Sequence, residues 1–128
     1  MAPATFAQTS VLKAIVCTNK LSAFAHNLEA AEIQTCQKRG RTWSHRKTFT
    51  FDAAILQNNQ ASKATLTNEP CWDEPERTFV KVETSPDFIS FNTGSESFSI
   101  DRKTLSASYL GLSYTCSVRD VPREKNKI

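Results

Sequence analysis

Two histidines, four cysteines and one tight group of carboxylates are the side chains of this 128-residue sequence that could carry acid–base, nucleophilic or metal chemistry. His45 is flanked by cations, and His26 falls in a stretch, residues 1–28, that contains no Asp or Glu. Neither shows the oriented carboxylate that would hold an imidazole in one tautomer for proton transfer. Cys71-Trp72-Asp73-Glu74-Pro75-Glu76 sets three carboxylates within four residues, enough in number for Ca²⁺ or an acid–base pair. It lacks the spaced acids and the Gly of a calcium loop, and reads instead as a solvated loop held by Pro70, Pro75 and a buried Trp72. Cys17, Cys36, Cys71 and Cys116 are far apart, without the short spacings that hold zinc. With only three glycines there is no phosphate-binding loop. No catalytic residue, metal site or cofactor is assigned, and the chain reads as non-enzymatic.

The densest charge lies in KRGRTWSHRK, residues 38–47, which holds five of the sixteen Lys and Arg, a Trp and a His, and no acid. Arg39, Arg41, Arg46 and Lys47 could contact phosphates or carboxylates while Trp43 stacks on a base, the chemistry of single-strand nucleic-acid binders. A purely architectural account is also available. Lys38 and Arg39 would close a helix, Gly40 would turn the chain, Arg46 and Lys47 would fringe an edge strand, and Trp43 would pack inward. The net charge of +3 is too small to decide for nucleic acid by itself.

The elements that must position these residues change character along the chain. Residues 1–31 read as a leader peptide or an N-terminal helix. Ala23-Phe24-Ala25 resembles a cleavage site, whereas Cys17, Leu21, Phe24, Leu28 and Ala31 follow the spacing of one face of a helix that starts at Asn19 and stops at Gly40. No apolar run reaches the roughly 20 residues that span a bilayer as a helix.

Residues 32–120 read as a β-rich domain, because the period falls to two at Thr48-Phe49-Thr50-Phe51-Asp52. Strands follow at residues 64–67, 78–83, 88–92, 96–101, 105–109 and 112–118. Turns are expected at Asn58-Asn59-Gln60, Ser85-Pro86-Asp87 and Asp101-Arg102-Lys103. Residues 121–128 read as a flexible tail. The fold class is mainly β: a single antiparallel meander forming a small barrel or sandwich, with a leader or one α-helix before it. The alternation of Leu112, Tyr114, Cys116 and Val118 places Cys116 on the buried face, and in an exported protein Cys71 is its expected disulfide partner; in a reducing compartment both would be free thiols.

The pattern running from Thr48-Phe49-Thr50-Phe51-Asp52 through residues 98–105 to Tyr114-Thr115-Cys116 resembles that of small exported bacterial or phage-type β-proteins, without pointing to a family or an activity. Three functions fit. The first is a binding or accessory protein acting on a macromolecular partner, such as an acidic protein. The second is a nucleic-acid binder using residues 38–47. The third is a carrier barrel whose mouth, lined by Tyr109, Tyr114 and alternate Phe residues, takes a small apolar molecule. The compartment is exported or organellar if the N-terminus is a leader, and otherwise cytoplasmic.

Overall fold

A computed structural model describes residues 12–21, 28–52 and 62–121. Eight strands, β1 (Leu12–Lys20), β2 (Trp43–Asp52), β3 (Ser62–Pro70), β4 (Glu76–Thr84), β5 (Phe88–Asn92), β6 (Ser97–Asp101), β7 (Ser106–Tyr109) and β8 (Leu112–Val121), run antiparallel in chain order. β8 pairs back onto β1, so the meander closes into a barrel rather than folding into a sandwich. Closure gives every strand a hydrogen-bonded neighbour on both sides, which limits the free edge that could recruit another chain.

Alternation sets the interior. Phe49 and Phe51 of β2, Val80 and Val82 of β4, Ile89 and Phe91 of β5, and Phe98 and Ile100 of β6 all point inward and are buried. Phe49 and Phe91 stack with ring centroids 3.9 Å apart, and Phe98 meets Tyr114 edge-on at 5.1 Å. An eight-stranded barrel has just enough interior for side chains of this size.

The hairpin connections follow local turn chemistry. Ser85 N–H donates to the Phe88 carbonyl, closing β4 onto β5, as Ser85-Pro86-Asp87 implies. Asp101 Oδ1 accepts from the backbone N–H of Lys103 (2.8 Å) and Thr104 (3.1 Å), forming the expected turn after β6. Leu110 and Gly111, both at positive φ, make the two-residue turn from β7 to β8.

The N-terminal expectation is corrected in two respects. Residues 12–20 form strand β1 rather than helix, a wall of the barrel between β2 and β8. Among the described residues, the helix that leads to Gly40 is α1 (Ala30–Lys38), which starts after Glu29 rather than at Asn19 and is entered where Glu29 N–H donates to Glu32 Oε1 at 3.0 Å. It ends at Gly40 as expected, with Gly40 at φ 69° and the Arg41 N–H bonded to the Cys36 carbonyl. Residues 23–25, Phe24 of the supposed helix face, His26, the turn at residues 58–60 and the tail from residue 122 lie outside the described residues.

The disulfide expectation is also corrected. Cys116 pairs with Cys17, and Cys71 with Cys36, in place of the Cys71–Cys116 bond. Strand register is the reason: Cys17 of β1 lies directly opposite Cys116 of β8, with Cα atoms 4.0 Å apart. Cys71 follows the end of β3, where its N–H bonds to the Ser44 carbonyl and its side chain meets Cys36 of α1. One bond thus closes the barrel seam, which also carries the Lys13–Asp120 ion pair at 2.5 Å. The other bolts α1 to the connection between β3 and β4.

Candidate ligand-binding site

The structure divides the 38–47 stretch. Arg39, in the turn after α1, donates to the Asp73 carbonyl at 2.8 Å and reaches the Glu74 carboxylate at 3.4 Å. Arg46 faces outward and grips Glu69, its direct cross-strand neighbour on β3, through two N–H···O bonds of 3.0 and 3.1 Å. The guanidinium groups of Arg41 and Arg46 lie over the Trp43 ring at 4.7 and 4.6 Å from its centroid. Trp43 is half-buried rather than core, and β2 is an internal strand paired on both sides, not an edge. Arg41, Trp43 and Arg46 therefore share the outer corner where α1 meets β2, while Arg39 is held against the β3–β4 connection.

Lys47 does not join them. The pleat that sends Arg46 out sends Lys47 in, onto the face of Phe49 and Phe51. Only 8% of Lys47 is exposed. Its Nζ donates to Oδ1 of Asn68, the residue opposite it on β3, at 2.8 Å. It also lies 5.2 Å from the Tyr109 ring centroid and 5.9 Å from that of Phe98.

These residues surround a cavity of about 220 Å³ at the barrel end formed by the close of β1, β3, β5 and β7 and the start of β2, β4, β6 and β8. Its floor is Phe49, Leu66, Phe91 and Phe98. Its polar wall is Lys47, Asn68, Glu96 and Tyr109. Glu96 is placed by the β5–β6 turn, in which Thr93 N–H bonds to the Glu96 carbonyl at 2.9 Å. Tyr109, the last residue of β7, brings its phenol to the rim. Tyr114 is not at the mouth; it lies deeper, buried against Phe98.

Protonation follows from this setting. Burial pulls the Lys47 ammonium below its ordinary range, and the Glu96 charge partly restores it. Desolvation and then the neighbouring Glu96 carboxylate push the Tyr109 phenol up to about 12, so it stays a neutral hydroxyl. Burial, and secondarily the Lys47 charge, lowers His45 to about 4, with Asn68 opposing the shift. His45 Nε2 and Asn19 Nδ2 are buried without a hydrogen-bond partner among the described residues.

His45 carries a consequence for acid stability. Its folded value, about 4, lies below its ordinary 6.5, so between those values the unfolded chain binds more protons than the folded one. Stability should therefore be unaffected by this group above about pH 6.5 and fall as pH drops toward 4. Allowing for its partial contact with solvent, the loss is about 2 kcal/mol by about pH 4.5. Urea denaturation at about pH 7 and about pH 4.5 measures it. If His45→Gln loses as much stability over that interval as the native chain, His45 is not the group responsible.

Asn68 and Glu96 line the cavity although sequence reading does not select them, and Lys47, read there as part of an outer patch, faces inward. The usable signal was the phase of β2, since Lys47 precedes Phe49 by two residues and must share its face. Among the described residues no group of three or more His, Cys, Asp or Glu is placed to hold a metal ion. No family model, curated protein or solved structure matches the chain.

Proposed function

We propose that this chain is a non-enzymatic carrier that binds one small, largely apolar molecule with a polar end in the mouth of its barrel. The observation that carries this reading is the 220 Å³ cavity, apolar at its floor and polar along one wall. Binding sites have this composition, in which apolar area supplies affinity and a few convergent polar groups fix orientation. A dry protein cavity of about 150 Å³ holds benzene, so the mouth suits a single substituted ring. The macromolecular and nucleic-acid readings draw less support. Arg46 is paired with Glu69, Arg39 is engaged at Asp73 and Glu74, and Lys47 faces inward.

The two disulfides favour an oxidising compartment and hence an exported protein. No helix among the described residues is long and apolar enough to cross a membrane.

An NMR titration with hydrocinnamyl alcohol tests the carrier reading. Saturable one-to-one binding is expected, with Kd in the micromolar to millimolar range for so small a ligand. Shifts should concentrate at Phe49, Leu66, Phe98 and Tyr109 and spare Trp43. Absence of saturation, or shifts centred on the outer Trp43 corner, would count against it.

A further inference from the structure

We infer that the ligand of the mouth is a carboxylate: a single-ring aromatic monocarboxylate whose ring lies on the Phe49, Phe91 and Phe98 floor and whose carboxylate meets Lys47 Nζ. This deepens the carrier reading and rests on it. An ammonium has three N–H donors, and among the described residues one of Lys47's is taken, by Asn68 Oδ1. No carboxylate lies within ion-pairing distance of Lys47 among the described residues. Lys13–Asp120, Arg39–Glu74, Arg46–Glu69 and Lys103–Asp87 are ion pairs among these residues, and none includes Lys47.

A nearly buried cation beside an apolar cavity is an unfavourable arrangement until an anion reaches it, because charge taken from water needs a paired and hydrogen-bonded partner. The aromatic faces of Tyr109 and Phe98 steady the ammonium but cannot accept its hydrogens as a carboxylate does. Asn68 holds Nζ in place as a positioning residue. Glu96 is the opposing influence: its negative charge on the same wall would repel a ligand anion and attract an amine. It sits on an exposed turn, where solvent screens it, whereas Lys47 is inside. The inner charge therefore governs the choice of ligand.

Calorimetric titration at about pH 7 with hydrocinnamate, hydrocinnamyl alcohol and hydrocinnamylamine separates the possibilities, since the three share ring and chain and differ in the terminal group. Hydrocinnamate should bind at least tenfold more tightly than the alcohol, and the amine least tightly. In Lys47→Met the hydrocinnamate advantage over the alcohol should disappear, the alcohol weakening only by what its single hydroxyl loses at Nζ while still saturating the site. Retained alcohol binding also shows that the variant's mouth is intact, and Lys47→Arg should keep the preference. An alcohol that binds the native protein as tightly as the acid, or an amine that binds more tightly, overturns the carboxylate assignment and leaves the carrier reading standing. Failure of all three to bind overturns both.

Discussion

Replacing Cys17 and Cys116 together with Ala is expected to lower the unfolding free energy by about 4–5 kcal/mol. The two residues are 99 positions apart. Cross-linking a loop of that size removes about 4.7 kcal/mol of chain entropy from the unfolded state on the loop-closure estimate. For a single domain whose whole stability is about 5–15 kcal/mol, this is a third or more of it.

Position adds to the effect. The bond lies on the β1–β8 seam, the pairing that brings the two ends of the meander together. Without it, that seam depends on backbone ladders and the Lys13–Asp120 pair. Cys36 and Cys71 are 35 positions apart, and the same estimate for them is about 3.8 kcal/mol. Their removal should free α1 from the β3–β4 connection while the barrel stays closed. Denaturant unfolding of the two double variants, with amide exchange along β1 and β8, checks this. A seam variant no less stable than the α1 variant, with β1 amides still protected, would contradict it.

Phe49→Ala should cost about 3–5 kcal/mol. Phe49 has no exposed surface, stacks on Phe91 at 3.9 Å and touches Phe98 with centroids 5.3 Å apart. Truncation removes the central ring of an aromatic cluster contributed by three strands. The rigid closed ladder cannot collapse to fill the space, so the cavity penalty adds to the lost transfer energy. Phe79, on β4, is 77% exposed, and its replacement by Ala should change stability by less than about 0.5 kcal/mol. Comparison of urea midpoints for the two variants measures the contrast. A Phe49→Ala loss below about 1 kcal/mol would mean that the interior is far looser than its stacking implies. Because Phe49 also floors the mouth, its loss should enlarge the cavity, and on the carrier reading hydrocinnamyl alcohol should restore part of the lost stability by binding the folded state.

The strands after residue 43 were legible because they carry one buried and one wet face, and such strands alternate. Phe88–Asn92 forms β5 at the bounds the pattern indicates, and the Ser85 and Asp101 turns follow from side chains that bond their own backbone. β1 was hidden for a physical reason. Ala14 and Ile15, adjacent and on opposite faces, are both buried, and Val16 is half-buried, so the strand lacks the alternation that announces its neighbours. Its Cys17 and Leu21 could then be taken for one side of a helix.

The disulfide error followed, since the partner of Cys116 depends on which strand lies beside β8. That strand is the one the pattern conceals. The mouth was legible only in outline. Tyr109 could be placed at a barrel rim, but Asn68 and Glu96 become site residues through cross-strand register and turn geometry, neither of which a single strand's sequence records. In residues 38–47 the run of charge suggested one surface, whereas the pleat separates Arg46 from Lys47 by the thickness of the barrel wall.

The even number of strands has a consequence for how the protein can be displayed. Leu12 and Val121 are paired neighbours, so the chain enters and leaves the barrel side by side at the pole opposite the cavity. A tether, fusion partner or surface attachment joined at Leu12 or Val121 would hold the barrel by its base, with the opening directed outward. Four connections ring that opening, among them the β1–β2 segment that carries α1 and the β5–β6 turn that carries Glu96. They are far from the paired ends of the chain, so on the carrier reading proposed above the rim is the part of the molecule best placed to be retuned for a different guest.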